Sequence, residues 1–134
     1  MSDFNFNRNA EQRDKLLGLP CEWSAGRGAG GIRRFDFIDI RTLRELIESK
    51  YIDPLDNHNN SPRVEEIFEF MSKYPVVRAQ GYAVSPFRSD YRVSLDTLSV
   101  PKRFVPRSLK QEFFSFCATA DEITAKPRLY AWWD

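Results

Sequence analysis

Histidine and cysteine are scarce in this chain of 134 residues: one histidine, His58, and two cysteines, Cys21 and Cys117. A structural zinc site needs four ligands dominated by imidazole and thiolate, which a lone His58 among amides cannot supply. Two cysteines are too few for a disulfide framework, and a chain of this length buries roughly two thirds of its unfolded surface without such staples. Long apolar runs are missing as well. No stretch approaches the roughly 20 residues needed to cross a bilayer, and the opening MSDFNFNRNAEQRDK is polar and charged where a secretory signal is apolar. No membrane association and a reducing cytoplasmic setting are therefore expected. Net charge is only +1 with a pI near 7.8, short of the basicity typical of a dedicated nucleic-acid module.

What the chain does have is apolar bulk. Its residues are 42% hydrophobic and include eleven phenylalanines, enough to offset the chain entropy of one folded domain spanning 1–134. The small net charge also conceals an internal change of sign. Residues 39–75 carry five cations against eight carboxylates, net −3, whereas 76–110 carry seven against two, net +5. Like charges gathered on one surface create a field that draws in a partner of opposite sign.

Hydrophobic periodicity places the elements. Residues 1–8 read as a loose lead-in, and Asn9 is placed to cap a short helix that Gly18 and Pro20 end. WSAGRGAGG, residues 23–31, reads as a flexible glycine-rich loop. Residues 33–38 alternate Arg34 and Asp36 with Phe35 and Phe37, the period of a strand with one buried face. From Asp39, a suitable N-cap, Ile40, Leu43, Ile47 and Tyr51 recur at helical spacing, with Leu46 widening the stripe. DPLDNHNNSP then forms a loop, and Ser61 with Pro62 opens a second helix with the stripe Val64, Ile67, Phe68 and Met71, which Pro75 stops. Residues 76–85 and 91–99 read as an antiparallel hairpin joined by PFRSD, and Gly81 marks a bulge. Ser108 and Gln111 form a capping box for a third central helix carrying Leu109, Phe113, Phe116 and Cys117. The final strand covers about 128–133. The order predicts an α+β domain in which three to four helices cover a mixed or mainly antiparallel sheet of about four strands.

No motif for chemistry survives inspection. An EF-hand counted from Asp56 needs glycine at its sixth position and glutamate at its twelfth, where Ser61 and Ile67 stand. The glycine loop lacks the helix that both well-known phosphate loops require at its end, although Arg27, Arg33 and Arg34 lie near it. A Cys117–His58 dyad places the thiol on an apolar helical face, where packing is its ordinary role. Glu48 and Lys50 spell the acid-x-lysine element of metal-dependent nucleases at a helix end instead of on a strand, where a lysine simply complements the helix dipole. No catalytic residue, cofactor or metal is expected.

The remaining candidates are surfaces. Lys102, Arg103 and Arg107 surround Phe104, with Arg88 and Arg92 on the hairpin, and cations beside an aromatic are the ingredients of single-strand binding. LYAWWD ends the chain with Trp132 and Trp133, and tryptophan is enriched in binding hot spots. Alternation buries only one of two adjacent tryptophans on a given face. The expectation is a non-catalytic binding protein with a protein partner, nucleic acid at 76–110 being the alternative and an enzyme of unrecognised type a further one.

Overall fold

Asn9 starts the first helix because its side-chain oxygen accepts a hydrogen bond from the Gln12 N–H at 3.2 Å, and Gly18 ends it by adopting a left-handed φ of 71°. That helix, α1 (Ala10–Leu17), opens a computed structural model that describes residues 4–23, 31–101 and 105–134. β1 (Ile32–Ile38), α2 (Ile40–Glu48), α3 (Val64–Lys73), β2 (Arg78–Val84), β3 (Val93–Val100), α4 (Arg107–Phe116), β4 (Glu122–Thr124) and β5 (Leu129–Trp132) follow. The five strands form one antiparallel sheet in the order β1-β2-β3-β5-β4. The architecture is α+β, with one strand beyond the four expected: β4 is three residues long, too short to display an alternation. No helix of the described residues is long and apolar enough to cross a membrane.

The helices share one core with the sheet. Leu43 and Leu46 of α2, Val64, Ile67, Phe70 and Met71 of α3, and Leu109 and Phe113 of α4 cluster with Ala79 and Ala83 of β2 and with Val93, Leu95, Leu98 and Val100 of β3. Helix orientation differs from the expected stripe in two places. Phe68 is only partly buried, with the Arg44 guanidinium 5.7 Å from its ring centre, while Phe70 stacks on Phe116 at 4.4 Å with planes 3° apart. Leu46, not Ile47, is fully buried on α2. Positions 67, 68, 70 and 71 are all apolar, so periodicity alone fits either rotation.

Helix ends also move. α2 stops at Glu48 because Lys50 takes a positive φ of 64°, although Tyr51 and Ile52 beyond it are buried. α3 begins at Val64, and the Arg63 N–H donates to Glu66 Oε1 at 2.8 Å. α4 starts at Arg107 after Pro106 with no side-chain cap, so Ser108 is inside the helix, not before it.

The β2–β3 register shifts between Gln80 and Gly81, which is the bulge expected there, and a Cβ on Gly81 would stand 1.8 Å from the carbonyl oxygen of Ser94. The lead-in is fastened, not loose, over residues 4–8. The Asn7 N–H donates to the Lys50 carbonyl at 2.9 Å, its side-chain amide to the Ser49 carbonyl at 3.0 Å, and its own carbonyl accepts from the Tyr91 hydroxyl at 2.7 Å. These partners are distant in sequence, which is why local pattern is blind to them. Of the expected glycine loop, residues 24–30 lie outside the described residues.

Candidate functional site

Tyr82 and Ser94 are cross-strand partners on β2 and β3, and they form the floor of a cleft of about 780 Å³. Three separate segments wall it: residues 4–8, the loop 53–59, and the end of the hairpin connection at 89–92. Each wall has a local reason for its shape. In the loop, Asp53 Oδ1 accepts from the Leu55 N–H at 2.9 Å, and the His58 N–H donates to Ser61 Oγ at 2.9 Å, the side-chain-to-backbone turns that Asp and Ser favour. The Asn57 amide adds bonds to the carbonyls of Asn59 at 2.7 Å and Ser61 at 3.1 Å. The loop is thus ordered by its own polar side chains before any ligand arrives.

A chain of hydrogen bonds ties the walls to the floor. Arg88 grips Asp90 with two bonds of 2.8 Å. Arg92 reaches the same residue through Nη1, at 3.0 Å to its carbonyl and 3.2 Å to Oδ2, then Ser94 Oγ through Nε at 3.2 Å and the Tyr82 hydroxyl through Nη2 at 3.1 Å. The Tyr82 oxygen lies 3.4 Å from His58 Nδ1, with the two rings edge to face. At the other side, the Tyr91 ring has the guanidinium groups of Arg8 at 4.6 Å and Arg13 at 4.7 Å from its centre.

Charge in the cleft is uneven in its satisfaction. The hydrogen bond from Arg88 holds the Asp90 carboxyl below its ordinary range. Asp56 behaves oppositely: burial pushes its carboxyl up, only partly countered by the Asn57 N–H and the positive charge of Arg92. Burial alone would lower Arg92, but its bonds to Tyr82 and Asp90 raise it. Among the described residues no group of three or more histidine, cysteine, aspartate or glutamate side chains is placed to share a metal ion.

Of the surface residues expected to bind a partner, those among the described residues do not gather here as a set. Arg92 is part of the cleft wall, and Arg88 stands behind it on the same connection, both committed to Asp90. Trp132 is half-buried on β5 opposite Thr97 and Glu122, on the sheet face away from the helices. Trp133 is the one of the two tryptophans that alternation buries. It is 1% exposed, completes the core, and donates its indole N–H to Thr119 Oγ1 at 3.1 Å. Arg107 is exposed at the start of α4, and Lys102, Arg103 and Phe104 lie outside the described residues. Cys117 is buried with its thiol pushed up to about 12 by desolvation, so it is no nucleophile for His58.

Sequence pattern misses Arg8, Asp56 and Tyr82 as site residues and treats His58 only as a failed metal or dyad partner. They come from three segments with no common spacing. The one available signal was the density of Asp, Asn and Ser around His58, which marks a turn whether or not the turn lines a site. Comparison of the chain with protein-family models, curated proteins and solved structures finds no match.

Proposed function

We propose that the protein works by binding, and that the cleft over Tyr82 and Ser94 receives a small polar ligand. The supporting observation is Asp56, a half-buried carboxylate that lines the cleft with no ion-pair partner among the described residues. Withdrawing an unpaired charge from water is unfavourable, and such groups concentrate at sites where a ligand supplies the missing partner. A volume of about 780 Å³ falls in the range of roughly 300 to 1,000 Å³ occupied by small-molecule sites. Backbone-amide NMR shifts on titration with polar metabolites of several classes provide the test. Perturbations centred on residues 4–8, 53–59 and 89–94 are expected, and perturbations confined to other regions, or none, would count against the cleft.

A second reading, a protein partner covering the same region, is favoured by Phe87, which is 53% exposed in the connection that continues into the cleft wall. Nucleic acid has less support. Arg78, Arg88 and Arg92 each donate to oxygens of the chain itself, which leaves their charges partly engaged.

A further inference from the structure

Which charges on the cleft wall are already matched limits what can occupy it; this inference rests on the binding reading above. Five ionisable side chains other than His58 and the tyrosines line the cleft: Arg8, Asp53, Asp56, Asp90 and Arg92. Asp90 is gripped by Arg88 and Arg92, and Arg92 uses Nε, Nη1 and Nη2 on Ser94, Asp90 and Tyr82. Asp53 is engaged at the Leu55 N–H. Arg8 and Asp56 remain. Arg8 holds its guanidinium carbon 4.6 Å from the centre of the Tyr91 ring, and no carboxylate among the described residues pairs with it. The Tyr91 ring is itself held by the Arg13 guanidinium at 4.7 Å and by the bond from its hydroxyl to the Asn7 carbonyl, so Arg8 rests against a fixed support. Among the described residues the cleft therefore offers a cation, Arg8, that forms no ion pair, and an anion, Asp56, whose carboxyl meets the Asn57 N–H but forms no ion pair.

We propose that the cleft takes a ligand carrying one ammonium and one carboxylate, the ammonium seated against Asp56 and the carboxylate against Arg8. A free amino acid and a short unblocked peptide share this chemistry. A ligand with a single charge would leave one wall group unmatched, and in a site partly withdrawn from water the attraction lost is larger than in bulk solvent. A charge-assisted hydrogen bond of this kind is worth about tenfold or more in affinity.

Calorimetric titration of the whole chain at neutral pH with the common free amino acids and with glycine oligomers of one to four residues tests this and separates the two sources. Tightest binding by a single amino acid assigns a free metabolite; rising affinity with oligomer length assigns a peptide. The tightest compound is then compared with its N-acetylated and C-amidated forms. Each blocked form should bind about tenfold more weakly or worse. Asp56→Asn should lose comparable affinity and become indifferent to acetylation, and Arg8→Gln should become indifferent to amidation. Both variants should fold, since Arg8 is exposed and neutralising Asp56 removes an unfavourable buried charge, so Asp56→Asn should melt no lower than the parent. Zwitterion binding unchanged in both variants overturns the proposal. So does the absence of any amino-acid or peptide binding; if polar metabolites of other classes still perturb the cleft resonances, the binding reading stands and only the zwitterion falls. If nothing perturbs them, both fall.

Discussion

Phe68 and Phe70 lie two positions apart on α3 and meet different surroundings. Phe70 stacks on Phe116 and lies 6.4 Å, centre to centre, from the Phe113 ring, so truncation empties a space that packed neighbours cannot fill. Phe70→Ala should cost about 3 to 5 kcal/mol, while Phe68→Ala, at a half-exposed site under Arg44, should cost about 1 kcal/mol, both read from urea unfolding. Equal losses would mean that α3 is rotated from its observed position. Arg13 and Asp14 make a sharper case: their side chains are fully buried and bonded at 2.9 Å, and Asp14 also accepts from the Trp23 indole N–H at 2.7 Å. Asp14→Ala leaves the Arg13 charge without its counter-ion, and a loss of about 3 to 5 kcal/mol is expected. These two neighbours look from sequence like ordinary surface charges on a helix, since their burial depends on Trp23 and on the Val84 carbonyl that Arg13 Nη1 reaches at 2.8 Å.

At the scale of elements, the positions that local chemistry controls were legible. Asn9 and Gly18 bound α1, Asp39 caps α2 by accepting from the Thr42 N–H at 2.9 Å, and Gly81 sits at the bulge. Each depends on a cap, a backbone angle or a missing side chain that a few neighbouring residues dictate. Gly81→Ala should prevent normal β2–β3 pairing, because the methyl group would collide with backbone, which cannot step aside as a flexible side chain does. Loss of the cooperative thermal transition, or a fall of many degrees, is the expected result. What was illegible is tertiary. The seating of 4–8 beside Tyr91 and the rotation of α3 follow from contacts across the sequence. The cleft belongs to this second group: Arg92 was expected as a binding residue for its charge, whereas Asp56 was indistinguishable from the turn formers around it.

For the molecule as a whole, two kinds of carboxylate pull stability in opposite directions with pH. Asp90, lowered by Arg88, and Asp39, lowered by the Thr42 N–H, contribute stability that is present above their ordinary value of 3.8 and lost as pH falls through their lower folded values. Asp56 is raised, so the folded state favours its protonated form, and stability declines as pH climbs from 3.8 through its folded value. The advantage of Asp56→Asn in melting temperature should therefore be small at pH 3.5 and larger at pH 7.5. A constant difference across that range would mean that the carboxylate charge is not what burial opposes. Among the described residues no ion pair joins the opposite-sign blocks at 39–75 and 76–110: Arg88 and Arg92 pair with Asp90 inside the basic block, and Lys73 pairs with Glu112 of α4 at 2.7 Å.

The seating of Asn7 has a practical consequence. One wall of the cleft, residues 4–8, is tied to Ser49, Lys50 and Tyr91 by the hydrogen bonds of Asn7, and its own backbone belongs to no helix or strand, so it can be cut away while the sheet and its helices stay intact. A chain beginning at Asn9 should keep its cooperative melt and lose its ligand. Fold integrity and occupancy would then become separately adjustable quantities in this protein, the first held by the core and the second by residues 4–8, which lie outside the core cluster.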